Sequence, residues 1–476
     1  MSGAAFAASL GVPPTGGEAL SIFAAAQEAP AATGLVIGAR SYSFAELAEM
    51  ARVRMVELAR DAHEGMPYPL LGDNTLETIV TLYGLLEMKV PALLVHPQLT
   101  ASERAGLCAA AARAGRVPYA DAAAIIYTSG TGGEARGAVL TRSALLASAR
   151  ASAANLGWEA DDRWLLCMPV ARIGGLSIIT RSLSARRCVM LSSRFDAEAF
   201  PEWIARHGVT LVSLVPTMLT RVLDAHPAWM APANLRAVLV GGAAASRKLL
   251  SRAAARRIPI VVTYGLTETC SQVAATPYAA RYAASDWGAG TPLPGIDVRV
   301  RDGRIEVRGP VLMAGYWNET PLAADTWFDT GDLGDLDARG CLHVIDRRAD
   351  LIVTGGENVY PAEVERALEA FPGIAAAGVF GVPDEVWGHT VAAALVAESM
   401  PRSDPALFEY LCQCLAPHKR PRQVCYVDRL PLMPTGKLDR RALPEVARGL
   451  HPLGGKTRGT PGASATPEQP RYHDDR

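Results

Sequence analysis

The chain has 476 residues, of which 49% are hydrophobic and 20% charged, with a formal net charge of −1. This length exceeds what one hydrophobic core supports, so two or more domains of ordinary globular composition are expected. The balanced charge gives no electrostatic case for nucleic acid or an anionic membrane as partner.

The eight cysteines show no paired spacing, and Cys412 and Cys414 lack the two-residue gap of a zinc or redox pair. Reduced thiols are therefore expected. No Lys or Arg precedes Arg40, so the start lacks the charged region of a signal peptide. No apolar run approaches bilayer length, and the reading is a cytoplasmic protein without a membrane partner. Of the 47 basic side chains only five are lysine, at positions 89, 248, 419, 437 and 456. Arginine is used wherever either cation would serve, so a retained lysine carries information.

Residues 1–120 are alanine-rich and hold no chemistry-bearing motif. Ser43-Phe44-Ala45-Glu46 has the spacing of a capping box, which predicts a helix start. The apolar run Ile125-Ile126-Tyr127 then enters a loop of hydroxyls and glycines, Thr128-Ser129-Gly130-Thr131-Gly132-Gly133. Such a loop can turn successive N–H groups toward a phosphate, although a polar surface turn would have the same composition. It is not a Walker loop, because no Gly-Lys-Ser/Thr follows.

From 121 to 270, apolar runs at Trp164–Val170, Val189–Leu191, Thr210–Val215, Leu235–Val240 and Ile258–Val262 alternate with segments of helical length. The alternation predicts parallel sheet with helical crossovers. The hydroxyl loop, Gly241-Gly242 and Tyr264-Gly265-Leu266-Thr267-Glu268 each follow such a run, and loops at the carboxyl ends of parallel strands converge on ligands. Residues 285–345 turn to Gly, Asp and short alternating strands such as Arg304–Arg308, which predicts a small β subdomain. A compact segment follows Asp346, with helices expected near Pro361–Ala370 and Pro405–Cys414. The Gly/Pro/Ser/Thr-rich end is expected to be disordered.

Several of these stretches can carry chemistry. Tyr264 offers an aromatic face, Thr267 a hydroxyl and Glu268 an oxygen ligand for Mg²⁺, although Thr267 capping a strand end would serve equally. Asp332, in Thr330-Gly331-Asp332, can accept from both ribose hydroxyls or simply occupy a turn. Gly355-Gly356 suits either a thin ligand passing the backbone or a bare turn. Lys437, in Pro434-Thr435-Gly436-Lys437, is kept where arginine is the chain's habit, which argues that a compact point charge is needed. The nine histidines show no metal-ligand spacing.

Together these stretches resemble the AMP-forming adenylate superfamily of acyl- and aryl-CoA ligases, with its motifs in order over roughly residues 40–445. Its phosphate loop reads Thr-Ser-Gly-Thr-Thr-Gly-x-Pro-Lys-Gly. Thr128, Ser129, Gly130, Thr131, Gly133 and Gly137 match it, whereas Gly132, Ala135 and Arg136 replace the second threonine, proline and lysine. The resemblance implies an α/β fold: a large N-terminal α/β domain with a small β subdomain, and a small mobile C-terminal α+β domain. The boundaries expected are 1–345, 346–448 and a tail 449–476, with a hinge near 347–349 where Ala349 replaces the usual Lys or Asp. Enzymes of this kind carry a longer segment before the phosphate loop, so residues 1–120 read as a shortened one.

The implied activity is ATP-dependent conversion of an acid to an acyl-adenylate and then to a thioester. The resemblance assigns catalysis to Lys437, Thr267 and Glu268, with Glu268 holding magnesium. ATP and CoA would be held by Thr128, Ser129, Gly130, Thr131, Gly241, Gly242, Tyr264, Asp332, Arg347, Gly355 and Gly356. Ile173–Ser177, Ser213–Thr217 and Thr267–Gln272 are most similar to ligases for o-succinylbenzoate in menaquinone synthesis, which places Arg172 and Gly175 at the acid. Arg172 stands where the family has histidine, and it can pair with a second carboxylate or simply be a surface substitution. The alternatives are a benzoate- or anthranilate-type ligase and an acyltransferase between aryl-CoA and an acyl carrier protein. The expected partners are a small aryl acid, ATP and CoA, with a carrier protein and a homodimer as further options.

Overall fold

The computed structural model describes residues 20–453 except 100, 114, 120, 130–134, 285–286, 348–349, 355–356, 385–386, 399–403 and 434–435. The chain forms two compact units. The larger runs to Leu351 and includes Leu432–Asp439; the smaller takes Ile352–Pro431 and the residues from Arg440 on.

The larger unit opens with β1 (Thr33–Ile37), β2 (Arg40–Ser43), β3 (Tyr68–Leu71), β4 (Ala92–Val95), β5 (Ala122–Ser129) and β6 (Ala135–Thr141). It continues through β7 (Arg163–Leu166), β8 (Cys188–Leu191), β9 (Leu211–Leu214), β10 (Ala237–Val240), β11 (Ile260–Leu266) and β12 (Ser271–Ala275). The last strands are β13 (Thr291–Pro292), β14 (Asp297–Arg301), β15 (Arg304–Arg308), β16 (Gly315–Tyr316), β17 (Phe328–Leu336) and β18 (Leu342–Arg347). They build a nine-stranded sheet ordered β13-β12-β11-β10-β9-β7-β8-β1-β2, a five-stranded sheet ordered β16-β6-β5-β4-β3, and a four-stranded sheet ordered β14-β15-β17-β18. The last is the expected small β subdomain.

The expected parallel core is present from β1 through β8, β7, β9 and β10 to β11, and antiparallel strands close both edges. Two of the predicted runs shift. The run Trp164–Val170 yields a strand only to Leu166, since Pro169 has no N–H for a ladder and the chain turns into the helix Ile173–Ala185. The run at Ile258–Val262 becomes a strand reaching Leu266, because β12 pairs antiparallel with Thr263–Leu266 after β10 has paired with Ile260–Val262.

Burial explains the framework. Leu211, Ala237, Val261 and Ile260 are almost wholly buried along the central strands, each side chain adding about 1.5–3 kcal/mol relative to exposure for the larger aliphatics. The helix Phe44–Leu58 begins with the predicted capping box: Ser43 N donates to Glu46 Oε2 over 2.7 Å and Glu46 N to Ser43 Oγ over 3.2 Å. Arg236 at the start of β10 is fixed beneath the sheet by Asp162, donating from Nε to Oδ1 over 2.7 Å. A buried guanidinium needs such partners, and Arg236 also donates to the carbonyls of Leu156 and Gly157.

The smaller unit is α+β. It holds β19 (Ile352–Thr354), β20 (Glu357–Val359), β21 (Ile374–Asp384), β22 (Gly388–Ala397), β23 (Gln423–Tyr426) and β24 (His451–Pro452). The helices Pro361–Ala370 and Asp404–Cys414 fall where the sequence predicts them. Val364, Leu368, Val379, Leu395, Leu411 and Val424 form its core. Glu365 accepts from Arg440 Nη2 over 2.9 Å, and Glu363 takes Lys419 Nζ at 2.8 Å. Among the described residues, no helix is long and apolar enough to cross a membrane.

Candidate active site

The carboxyl ends of β11, β10, β9 and β7 lie along one edge of the nine-stranded sheet, and the chemistry-bearing segments follow them. Past β11, Thr267–Thr269 make one turn of 3₁₀ helix. Cys270 takes a left-handed conformation to turn the chain back into β12. The turn is pinned by its own groups: Leu266 N donates to Thr269 Oγ1 over 3.0 Å, and Met313 N donates to the Glu268 carbonyl over 2.8 Å.

Glu268 is 9% exposed. Its Oε1 accepts from Thr128 Oγ1 over 3.2 Å and from Tyr316 Oη over 3.0 Å. Thr128 comes from β5 of the five-stranded sheet, so this carboxylate joins the two sheets. Burial and the Glu268 charge push the Tyr316 hydroxyl well above the usual tyrosine range, which keeps it a neutral donor. β5 and β6 form an antiparallel hairpin in which Thr128 pairs with Arg136 and Ser129 with Ala135. The hydroxyl loop therefore returns into a strand rather than a helix, as its lack of a Walker pattern implied.

Tyr264, within β11, donates its hydroxyl to Asp332 Oδ2 over 2.8 Å. Asp332 is 5% exposed, near the middle of β17, where the chain register sets it opposite Arg347 at the end of β18. An aromatic face and a buried carboxylate thus stand side by side.

The loop after β10 holds Gly241 and Gly242. Gly242 has φ +78°, a conformation that costs little only without a Cβ. Lys437 belongs to the segment Leu432–Asp439, in which Met433 N donates to the Lys437 carbonyl over 2.8 Å. Thr217 Oγ1, after β9, donates to the Gly436 carbonyl over 3.2 Å. A Cβ on Gly242 would lie 4.0 Å from Lys437 Cε. The lysine stem therefore runs beside the glycine loop.

Arg172 caps the helix Ile173–Ala185 with an extended backbone and makes no side-chain capping bond. Its Nε is buried without a hydrogen-bond partner among the described residues. Burial holds its pKa below the usual arginine range. Gly72 ties this corner to the five-stranded sheet, donating to the Val95 carbonyl over 2.9 Å and accepting from Ala171 N over 3.0 Å. His96 follows Val95 and is 8% exposed; its Nδ1 accepts from Gln98 N over 3.2 Å. Burial, and then the Arg172 charge, lower His96 to about 4. Gly175 sits in the first turn of the helix, where a Cβ would come within 2.2 Å of the Pro169 carbonyl oxygen. Backbone packing alone accounts for that glycine.

The structure thus brings together Thr128 with Glu268, Tyr264 with Asp332, and Lys437 with Gly242. Thr267 stands in the same turn as Glu268. Ser129 and Arg347 end β5 and β18. Gly130, Thr131, Gly355 and Gly356 lie outside the described residues, as does Ala349. Tyr316 and His96 carry no sequence signal, since Gly315-Tyr316-Trp317 has no charge or pattern that marks it, whereas Thr217 falls in the stretch Ser213–Thr217 without having been given a role. Among the described residues there is no group of three or more His, Cys, Asp or Glu that could hold a metal ion. A divalent ion here would take Glu268 and hydroxyl or phosphate oxygens, a donor set that suits magnesium, which binds through one or two carboxylates plus substrate phosphates.

Comparison with known proteins gives the same order of parts. Residues 111–317 match the model of the AMP-binding enzyme, and residues 363–437 that of the AMP-binding enzyme C-terminal domain. The chain is 42% identical over 338 residues to the 2-succinylbenzoate–CoA ligase of Bacillus licheniformis, covering 68% of this chain and 70% of that one. Its identity to the 2-succinylbenzoate–CoA ligase of Bacillus cereus strain Q1 is 38% over 345 residues, covering 69% and 71%. Among solved structures it resembles o-succinylbenzoate CoA synthetase from Bacillus subtilis in complex with the acyl-adenylate intermediate. That match has TM-score 0.77 and 31% identity over 89% of this chain and 97% of the other. The same enzyme with ATP and magnesium matches with TM-score 0.78, 31% identity, and 89% and 98% coverage.

Proposed function

The chain belongs to the AMP-binding enzyme family and is an AMP-forming acid–thiol ligase; we propose that its acid is 2-succinylbenzoate and its thiol coenzyme A. In the first step the acid's carboxylate oxygen attacks the α-phosphorus of ATP, forming acyl-AMP and expelling pyrophosphate. In the second the CoA thiol gives up its proton and attacks the acyl carbon, forming the thioester and releasing AMP.

Phosphoryl chemistry of this type depends on positioning and charge stabilisation. Lys437, running beside the Gly241-Gly242 loop, would carry its charge to the oxygens between acid and α-phosphate. Thr267 and the hydroxyl loop entered at Thr128 would donate to phosphate oxygens. Glu268 would hold magnesium, which when bound neutralises charge on the phosphates. Asp332 would accept from the ribose hydroxyls, with the Tyr264 ring beside the base. Arg347, Gly355 and Gly356 keep the nucleotide and pantetheine roles that the family resemblance gives them.

The single observation that carries the choice of acid is Arg172. Arg172 is half-buried, and its Nε, itself buried with no partner among the described residues, is costly unless an anion supplies one. 2-Succinylbenzoate has a second carboxylate to offer, whereas benzoate and anthranilate have only the one that reacts. The named relatives support the same acid. The test is ATP–pyrophosphate exchange with 2-succinylbenzoate, benzoate and anthranilate, followed by addition of CoA. Exchange with the dicarboxylate and thioester formation with CoA are expected. Exchange with the monocarboxylates alone would transfer the assignment to another aryl acid. Thioester exchange with a carrier protein, without pyrophosphate exchange, would make the protein an acyltransferase.

A further inference from the structure

Arg136 stands where relatives of this fold carry the phosphate-loop lysine, yet its side chain is committed elsewhere. Its Nε donates to Glu319 Oε1 over 2.7 Å, and Nη2 donates to Glu319 Oε2. The guanidinium carbon lies 3.5 Å from the centroid of the Tyr316 ring. β16 pairs with β6 so that Tyr316 is opposite Ala138, which makes Arg136 and Tyr316 diagonal neighbours across the two strands. The Glu319 contact raises the arginine's pKa and the arginine lowers that of Glu319, so both stay charged.

Each side chain of this ion pair is 42% exposed. Exposed pairs contribute little to stability, so its consequence lies in what it orients. The forked carboxylate fixes the plane of the guanidinium, and the plane covers one face of the phenol. That phenol donates to Glu268 Oε1 over 3.0 Å.

We propose that Arg136, clamped on Glu319, is a positioning residue that holds the Tyr316 phenol against Glu268 and thereby orients the carboxylate that takes the divalent ion. This rests on the reading of Glu268 as the metal-side carboxylate. It also gives Arg136 a task that lysine does not perform, since an ammonium has neither the fork nor the flat face. Partners one bond removed from a metal ligand commonly alter metal affinity by about 10-fold or more when lost.

The test uses calorimetric ATP binding to the full chain, with magnesium and with EDTA. In Arg136→Lys, Glu319→Gln and Tyr316→Phe the gain in ATP affinity from magnesium is expected to fall by about 10-fold. ATP binding in EDTA and the melting temperature should stay at parental values. The double variant Arg136→Lys/Tyr316→Phe should lose no more than Tyr316→Phe alone, because both act through one phenol. Equal losses with magnesium and with EDTA would make Arg136 a direct phosphate ligand and overturn the proposal, as would additive losses or no loss. Should Arg136→Lys fail to fold, Glu319→Gln opens the same clamp from its other side and decides the matter. Glu268→Gln serves as the control on the premise: an unchanged magnesium gain there would refute Glu268 as metal ligand, independently of Arg136.

Discussion

The Tyr264 hydroxyl donates to Asp332 Oδ2 across 2.8 Å, linking the last parallel strand of the large sheet to the small β subdomain. The bond fixes a buried carboxylate beside an aromatic ring. In the proposed reading this carboxylate accepts from the ribose hydroxyls of ATP. Asp332→Asn keeps the shape but loses charge-assisted hydrogen bonding, worth about 1.5–3 kcal/mol. The KM for ATP is expected to rise roughly 10- to 100-fold with the KM for the acid little changed, read by pyrophosphate exchange. A parallel rise in both constants would show Asp332 to be a structural link only.

Lys437 gives the second prediction. Its segment packs with the larger unit, and its stem passes Gly242. Lys437→Ala is expected to lower acyl-adenylate formation by about 10²–10³, the cost of one transition-state charge contact. Supplied acyl-adenylate should still be captured by CoA at the parental rate. Normal pyrophosphate exchange in the variant would remove Lys437 from the first step.

The parts of this molecule that were legible in the sequence are those encoded locally. Apolar runs marked the central strands because a strand buried on both faces is apolar throughout. Ser43 and Glu46 announced a helix start because their capping bonds span three residues. Lys437 stood out against the arginine-rich background, and Thr267-Glu268 through the aromatic and hydroxyl neighbours in its turn. What remained hidden depends on pairings between distant segments. Tyr316 reaches Glu268 only because β16 docks on β6. His96 meets the Arg172 corner only because Gly72 hydrogen-bonds to both Val95 and Ala171. Strand ends were misplaced where Pro169 stopped a ladder and where an antiparallel partner prolonged β11, two effects that apolarity does not register.

His96 makes a prediction about stability. Burial and the neighbouring Arg172 lower it to about 4, against about 6.5 in an unfolded chain. Between these values the unfolded state binds the extra proton, so stability is full above pH 6.5 and is lost as pH falls toward 4. Between pH 7.5 and pH 5 the histidine should account for about 2 kcal/mol of that loss. His96→Asn, which retains an acceptor for Gln98 N, should show a correspondingly flatter pH dependence of the urea midpoint. Equal slopes in the two proteins would mean that His96 titrates normally in the fold.

Arg172 makes the final prediction, and it reaches the identity of the acid. Arg172 is the N-cap residue of the helix Ile173–Ala185, its side chain makes no capping bond, and Nε has no partner among the described residues. Its only described charged influence is on His96, which remains neutral at working pH and so brings no counter-charge. An anionic ligand is therefore the natural complement to this corner. Truncating one member of a buried charge pair costs about 2–5 kcal/mol, so Arg172→Leu should lower kcat/KM for 2-succinylbenzoate by roughly 30-fold or more. Leucine fills much of the same apolar space, and a monocarboxylic acid, having no second charge to lose, should react as well with the variant as with the parent. The decisive measurement is kcat/KM for both acids in both proteins. A variant that used the dicarboxylate as efficiently as the parent would show that Arg172 faces no substrate charge, and the choice of acid would have to rest on other residues.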